Sequence, residues 1–169
     1  MHIEALRHGN IMIDIYSIDI ETLYKSTTLS PHMEDYIEAI AVLADTNKVV
    51  RVKDIAAILK IKMPSVTSAL NKLKEMDLIE YEKYGYIELT DAGDIIAKRV
   101  MSRHMCLKEF FIKVLQLPAH AAEQEACKIE HHISAETCKR IHRLLIYFRS
   151  EEAADKEWTR TLTQILISE

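Results

Sequence analysis

Glycine and proline are scarce in this sequence of 169 residues, which contains three of each. An all-β fold needs many tight turns, and such turns draw heavily on these two residue types. Their scarcity therefore favours long helices. Apolar residues make up 49% of the chain and charged residues 28%, which is typical of a folded globular protein and excludes a largely disordered one.

The sequence also lacks paired cysteines and long apolar runs. Cys106, Cys127 and Cys138 contain no Cys-x-x-Cys pair and cannot all pair with one another. This excludes a disulfide framework and indicates a reducing compartment, so we expect a cytoplasmic protein. No apolar run approaches the roughly 20 residues that cross a membrane. Residues 1–28 carry Asp14 and Asp19 and no cleavage pattern, so we assign them as an N-terminal extension and not as a secretory signal.

No overall positive charge indicates nucleic acid, because the net charge is −4. The charge distribution is more informative. Between Arg51 and Met76 there are six Lys or Arg residues against two acids, a local balance of +4. A basic region in an acidic protein fits DNA contact through one face, since phosphate attraction is local. Six scattered cations also fit a solvated helix surface.

Two short helices followed by a hairpin are predicted between residues 53 and 90. A helix over residues 53–60 is followed by a short connector, and Pro64 begins a second helix that runs to Met76. Two helices joined in this way form a helix-turn-helix. Residues 78–82 and 86–90 then alternate at strand period, which predicts a β-hairpin and therefore a winged helix.

Helical patterns flank this motif on both sides. The remaining helices are predicted over residues 31–47, 90–115, 119–132 and 134–148 and around Trp158. We therefore predict a mainly α fold with two domains. Residues 29–93 form an N-terminal winged helix-turn-helix DNA-binding domain with a two-stranded β wing, and residues 94–169 form an α-helical domain.

Three residues near position 130 have metal-ligand chemistry. Cys127, Glu130 and His131 stand at positions i, i+3 and i+4, so a helix presents their thiol, carboxylate and imidazole on one face. Sulfur, nitrogen and oxygen donors together suit Fe²⁺, Mn²⁺, Co²⁺, Ni²⁺ or Zn²⁺ better than Ca²⁺ or Mg²⁺. Asp35 and Glu38, at i and i+3, form a second acidic pair in the first helix.

Each of these patterns also has an ordinary structural explanation. An acid and a histidine one turn apart are often a helix-surface pair, and cysteine is commonly a small buried apolar residue. The His132 side chain is expected to face solvent or to pack against neighbouring residues. Ligand-type residues on separate segments of one winged-helix chain nevertheless favour a metal site.

Five stretches of this sequence resemble the iron- and manganese-dependent repressors of the diphtheria toxin repressor type, which include the manganese transport regulators. The resemblance runs from about Leu29 to Phe148. Its motifs are Met33-Glu34-Asp35-Tyr36-Ile37-Glu38, Pro64-Ser65-Val66-Thr67, Leu89-Thr90-Asp91-Ala92-Gly93, Lys98-Arg99-Val100-Met101-Ser102-Arg103-His104 and Glu125-Ala126-Cys127-Lys128-Ile129-Glu130-His131-His132-Ile133-Ser134. It implies that residues 94–169 form a metal-binding and dimerisation domain.

The metal ligands that the resemblance implies combine two branches of the family. They are Asp35, Glu38, His104, Cys127, Glu130 and His131, with Glu123 and Gln124 as further candidates. Asp35 resembles the manganese-sensing branch, whereas Cys127 resembles the iron-sensing branch. Lys108 stands where the iron branch has an ancillary carboxylate, which alters that branch's second site. A thiolate favours Fe²⁺, so we expect Fe²⁺ as the cofactor, Mn²⁺ as a close alternative, and Co²⁺, Ni²⁺ or Zn²⁺ binding in vitro.

The implied function is metal-dependent control of transcription. We expect a homodimeric repressor that senses intracellular Fe²⁺ or Mn²⁺, binds palindromic double-stranded operator DNA and controls metal homeostasis genes, with no membrane partner and no organic substrate. The expected DNA contacts are Lys62, Ser65, Thr67, Ser68 and Lys72, with Lys83 and Tyr84 in the wing.

Two other functions fit parts of the sequence. A helical metalloenzyme is the first, but the sequence lacks a paired Glu-x-x-His signature, a nucleophile with a suitably spaced base and a Gly-rich phosphate loop, so we expect no enzyme. A winged-helix regulator that responds to a small ligand or to cysteine oxidation is the second. In that case Asp35, Glu38 and His131 are dispensable.

Overall fold

The computed structural model describes residues 15–16, 20–24, 29–82, 85–150 and 156–167. These residues divide into two compact units: unit 1 lies within residues 27–101, and unit 2 combines residues 14–26 with residues 102–169. None of the helices in these ranges is long and apolar enough to cross a membrane. The elements are α1 (Ile20–Leu23), α2 (Pro31–Thr46), α3 (Val52–Leu59), α4 (Met63–Glu75), β1 (Ile79–Tyr81), β2 (Ile87–Leu89), α5 (Asp91–Lys113), α6 (Ala119–Ile129), α7 (Ala135–Arg149) and α8 (Glu157–Ile167).

The mainly α fold with a two-stranded sheet behind a helix-turn-helix is confirmed. Most predicted helix ends lie within two residues of the observed ends. The prediction for α6 is wrong at its C-terminus, because the helix ends at Ile129 and not at His132. The NH groups of His132 and Ile133 both bond the Ile129 carbonyl, which closes a tight turn before α7 begins.

Unit 1 is built around the apolar faces of three helices. Helix α2 packs on α3 and α4, α4 packs on β1, and α2 also contacts β2. The apolar residues recur at helical spacing, so each helix presents one continuous stripe to this core. The core residues with no exposed surface are Ile37, Ala39, Ile40, Ile55, Val66, Leu70 and Leu73.

The turn between α3 and α4 depends on a left-handed residue. Lys60 has φ 53° and ψ 43°, although it is not glycine. The Ile61 NH bonds the Ala56 carbonyl at 3.1 Å, which closes α3. Helix α4 then begins at Met63, so the two helices are joined by a turn of three residues, Lys60 to Lys62.

The wing is a short antiparallel hairpin. Ile79 pairs with Leu89, Glu80 with Glu88 and Tyr81 with Ile87. The side chains of Ile79, Tyr81 and Ile87 are buried, whereas the two glutamates are exposed, so one face of the hairpin faces the core. The predicted wing contacts Lys83 and Tyr84 lie outside the described residues.

Thr90 and Gly93 join the wing to α5. The Thr90 hydroxyl donates to the Asp77 carbonyl at 2.7 Å and accepts the Gly93 NH at 3.1 Å, as an N-terminal capping residue does. The Thr90 NH bonds the Leu78 carbonyl at 3.1 Å. A Cβ atom on Gly93 would lie 2.0 Å from that same carbonyl oxygen. This position therefore requires glycine for the close approach of two backbone segments.

Unit 2 contains part of the N-terminal extension in its core. Leu23 and Tyr24 are buried, and α1 packs on α7. The Tyr24 hydroxyl lies 3.0 Å from Nδ1 of His142, whose side chain is fully buried in α7. The rings of Tyr16 and Tyr24 both contact the His142 ring edge to face. Residues of the extension are thus part of the packing of this unit.

The free energy of unfolding is expected to fall as the pH decreases from 7 to 5, in part through His142. Burial lowers the pKa of this histidine. The unfolded chain therefore binds a proton below about pH 6.5, before the folded chain does, and each pH unit costs at most about 1.4 kcal/mol. Urea unfolding of the wild type and of His142→Gln across this range tests the effect. The variant should show the smaller decrease, and equal decreases would contradict the assignment.

Candidate metal centre and nucleic-acid interface

One buried histidine lies between two buried carboxylates in unit 2. His104, in α5, is 2% exposed. Its Nε2 atom is 2.9 Å from Oε1 of Glu123 in α6, and its Nδ1 atom is 2.9 Å from Oε2 of Glu130. Burial of charged groups is costly without compensation, so two carboxylates around one imidazole form a site suited to balancing positive charge.

A thiol completes the donor set beside His104. Cys127, two residues before the end of α6, is half-buried. His104, Glu123 and Cys127 each offer a ligand atom, and these atoms all lie within 4.8 Å of one another. Nitrogen, oxygen and sulfur donors in this combination fit a divalent transition metal and do not fit Ca²⁺ or Mg²⁺.

Glu130 and His131 follow α6 directly. The Glu130 NH still bonds the Ala126 carbonyl at 3.0 Å, so its backbone continues the helical path for one residue. Nε2 of His131 lies 3.7 Å from Oε1 of Glu130, and the His131 side chain is 11% exposed. Glu130 and His131 thus lie together immediately after the end of α6, which comes earlier than predicted.

The electrostatics of Glu123 depend on two basic neighbours. Nζ of Lys108, on α5, lies 2.8 Å from Oε2 of Glu123, while His104 faces its other oxygen. Burial alone raises the pKa of Glu123, but the hydrogen bonds and charges of His104 and Lys108 outweigh burial and hold the pKa at about 2. The carboxylate is therefore ionised at neutral pH.

The neighbouring candidate Gln124 has a different environment. Its side chain is exposed, and its Nε2 atom lies 3.1 Å from Nε2 of His120 one turn earlier in α6. Helix α6 turns Ala122, Glu123 and Ala126 towards the interior of unit 2. Of the two adjacent candidates, the structure brings Glu123 and not Gln124 beside His104.

The acidic pair of the first long helix lies in unit 1. Glu38 is fully buried on α2, and Asp35 is partly exposed, with Oδ2 3.7 Å from Nδ1 of His32. A fully buried carboxylate is unusual in a helix that otherwise buries Ile37, Ile40 and Leu43, because desolvation of the charge is costly. Packing alone does not explain a glutamate at this position.

The other two cysteines have no thiolate character. Burial raises the pKa of Cys106 to about 12 and that of Cys138 to about 11. Both are free thiols within unit 2. The thiol, and not the thiolate, is the less reactive form towards oxidants, so these two residues have the properties of packing residues.

The predicted DNA-contacting residues on α4 largely share one exposed face. Lys62, Ser65, Ser68 and Lys72 are exposed and recur at intervals of three or four residues. Thr67 is partly buried, and its hydroxyl donates to the Met63 carbonyl at 3.1 Å, so it is bonded to its own helix.

One lysine of the basic region has a structural contact that the sequence did not indicate. Nζ of Lys74 donates to the Tyr81 carbonyl at 2.8 Å. Its ammonium therefore bonds β1 of the wing, whereas the sequence count treated all six cations alike. Strand β1, which accepts this hydrogen bond, begins four residues after α4 ends. The closeness of Lys74 to a predicted strand is the sequence feature that could have indicated this contact.

Two protein-family models match successive parts of the chain. Residues 28–87 match the DNA-binding domain at the N-terminus of the iron dependent repressors, and residues 90–159 match their metal binding and dimerisation domain. The chain belongs to the iron-dependent repressor family. It is a metal-dependent transcriptional regulator and not an enzyme, as the sequence predicted.

Relatives of this repressor family align over most of the chain. The HTH-type transcriptional regulator MntR of Bacillus velezensis is 37% identical over 128 residues, which cover 76% of this chain and 89% of the relative. The crystal structure of ScaR with bound Zn²⁺ is 30% identical, with a TM-score of 0.60 over 69% of this chain and 55% of ScaR. The manganese regulator SloR is 28% identical, with a TM-score of 0.59 over 70% of this chain and 55% of SloR. This repressor thus spans 55% of the length of each of these two solved chains.

Proposed function

We propose that this repressor senses intracellular Fe²⁺, with Mn²⁺ as the close alternative, and represses metal homeostasis genes in the cytoplasm as a homodimer on palindromic operator DNA. The observation that carries the proposal is the set of nitrogen, oxygen and sulfur donors from the buried His104 and Glu123 and the half-buried Cys127, with Glu130 beside the second ring nitrogen of His104. Residues 29–93 bind DNA, and residues 94–169 bind metal and dimerise.

The ligands that we propose are those the family resemblance implies. His104, Cys127, Glu130 and His131 hold the ion in the helical domain, with Glu123 beside them, and the resemblance adds Asp35 and Glu38. A bound divalent ion supplies positive charge that balances the buried carboxylates and the thiolate. Because Asp35 and Glu38 belong to α2, which packs on α3 and α4, metal binding then acts on the helices that carry the DNA-contacting side chains.

The choice between the two metals rests on opposing observations. Of the two similar proteins MntR and SloR, SloR is described as a manganese regulator. The thiol of Cys127 is a softer donor than a carboxylate and favours Fe²⁺ over Mn²⁺. We give greater weight to the thiol, because it is a property of this chain's own donor set.

Metal should act by favouring the DNA-binding conformation of the dimer. It shifts that equilibrium only by the difference between its affinities for the two conformations. On the DNA side, Ser65, Ser68 and Lys72 lie on the exposed face of α4, which suits insertion into a major groove. Lys62, together with Lys83 and Tyr84, then contacts phosphates, whereas Thr67 remains the weakest of the proposed contacts because its hydroxyl is already bonded.

Glu130→Gln is expected to abolish the gain in DNA affinity that metal produces. The substitution keeps the shape of the side chain but removes the negative charge beside His104 Nδ1. We expect at least a tenfold tighter binding of the wild type with Fe²⁺ or Mn²⁺, which corresponds to about 1.4 kcal/mol, and no change for the variant. The measurement is a DNA-binding titration under anaerobic conditions at fixed salt, on a duplex enriched from random DNA by the metal-loaded wild type.

Glu125→Gln is the matched control, because Glu125 lies on α6, which Glu130 directly follows, and forms an exposed pair with Lys128. It should keep the metal response of the wild type. Stoichiometric metal binding without any change in the DNA affinity of the wild type would contradict the proposed mechanism.

A further inference from the structure

Lys108 lies at the candidate metal centre, beside Glu123, and is not a solvated surface residue. It follows His104 by four residues on α5, so both side chains lie on one face of that helix. Each of them faces a different oxygen of the same carboxylate, Glu123, at 2.9 Å from His104 and 2.8 Å from Lys108. The carboxylate therefore has one oxygen on the imidazole and the other on an ammonium group.

The burial of this pair distinguishes it from the exposed pairs of the same unit. The Glu123 side chain is 7% exposed and that of Lys108 is 28% exposed. The pair formed by Lys128 and Glu125 is 58% and 47% exposed, so it is largely solvated. Solvated pairs contribute little, whereas removal of one partner from a buried pair leaves an uncompensated charge.

An ammonium at this position conflicts with a second divalent ion. Such an ion beside Glu123 needs the oxygen that now accepts from Lys108 Nζ, and it must also approach a fixed positive charge in a region shielded from water. Lysine offers donors only and cannot become a ligand while it is protonated. His104, Cys127 and the other oxygen of Glu123 remain available to one ion.

We propose that the ammonium of Lys108 is a built-in cation of the metal centre, which holds Glu123 against His104 and limits loading to one divalent ion per chain. This inference rests on the proposed metal-sensing function and deepens it. In the metal-free chain, the ammonium of Lys108 lies 2.8 Å from Oε2 of Glu123 and holds this carboxylate in place beside His104. When a metal binds, the site is already ordered on the Glu123 side.

Metal stoichiometry provides the first test. Equilibrium dialysis of the purified full-length chain against Mn²⁺ or Co²⁺ under anaerobic conditions, with elemental analysis, should give one ion per chain for the wild type. Lys108→Glu replaces the ammonium by a carboxylate and should give two. Lys113→Glu makes the same charge change at an exposed position of α5 and should remain at one.

A second measurement covers the case in which Lys108→Glu folds poorly. Lys108→Met leaves Glu123 buried without its ammonium, so the metal-free variant should have a lower Tm than wild type. Because metal then supplies the missing charge, the increase in Tm on adding Mn²⁺ should be larger for Lys108→Met than for wild type, and unchanged for Lys113→Met.

The outcomes separate this inference from the proposed function. Two ions per wild-type chain, or equal metal-induced increases in Tm for Lys108→Met and wild type, would overturn the role of Lys108 and leave metal sensing intact. If the wild type bound no metal in dialysis, the proposed function and this inference would fail together.

Discussion

Gly93→Ala should unfold the winged-helix unit at a markedly lower temperature than the wild type. The added Cβ atom would lie 2.0 Å from the Leu78 carbonyl oxygen and 3.3 Å from a methyl carbon of Leu89. The first contact is with backbone, which cannot rotate away as a side chain can. Relief requires α5 to move away from the wing, and the Thr90 hydrogen bonds to Asp77 and Leu78 lie in the path of that movement. We expect a loss of about 3 kcal/mol, which is a decrease in Tm of roughly 6–12 °C for a chain of this size.

The expected decrease in Tm is opposite in sign to the effect that helix propensity alone would have. Alanine in place of glycine within a helix normally stabilises by about 1 kcal/mol. The neighbouring Ala92 is exposed in the first turn of the same helix, so Ala92→Gly should cost at most about that amount. Thermal unfolding of both variants checks the prediction, and an unchanged or increased Tm for Gly93→Ala would refute the steric argument.

The sequence predicted that this glycine lies at the beginning of a helix, but it did not predict why glycine is required there. Residues 90–93 predicted the beginning of a helix, and Thr90 does accept the Gly93 NH. The contact that requires glycine comes from Leu78, which is fifteen positions earlier in the chain. Local periodicity describes the path of each segment, whereas the closeness of two segments depends on how they pack.

The metal centre shows the same division between local and non-local information. Spacing alone grouped Cys127, Glu130 and His131, whereas the structure groups the Cys127 thiol with His104 and Glu123 and places Nε2 of His131 3.7 Å from Oε1 of Glu130. Residue spacing could not decide between Glu123 and Gln124 as a ligand. Adjacent positions of a helix differ by 100° in direction, and which side of the helix is buried depends on the elements that pack against it. Nor could the spacing predict the end of α6, since no glycine or proline follows Ile129. The chain leaves the helix in the turn that the His132 and Ile133 NH groups close on the Ile129 carbonyl, and Ser134 then caps α7.

The basic region was correctly located, but its members differ in role. Lys72 and Lys74 are two positions apart on α4, so they face different directions. Lys72 is exposed, whereas Lys74 bonds the Tyr81 carbonyl of the wing. A count of charges along the sequence cannot make this distinction, because it depends on where β1 lies.

Ser68→Glu is expected to weaken DNA binding at least a hundredfold while the metal centre remains intact. Ser68 lies between Ser65 and Lys72 on the exposed face of α4, which is the face proposed to enter the major groove. A carboxylate there faces phosphates and base-edge acceptors, and like-charge contacts of this kind cost several kcal/mol, of which about 2.7 kcal/mol suffices for a hundredfold loss. Glutamate has a higher helix propensity than serine, so the fold should be retained.

The matched control for Ser68→Glu places the same charge in unit 2. Ala119 is exposed in the first turn of α6, where a carboxylate is favourable, so Ala119→Glu adds an equal charge on a helix that is not proposed to contact DNA. Binding titrations with metal, at two salt concentrations, should show wild-type affinity for this control. The deficit of Ser68→Glu should shrink at the higher salt, because repulsion from phosphates is screened. An affinity of Ser68→Glu within threefold of the wild type would mean that DNA contacts another surface, and α4 would then have to be reassigned as a structural helix of the winged domain.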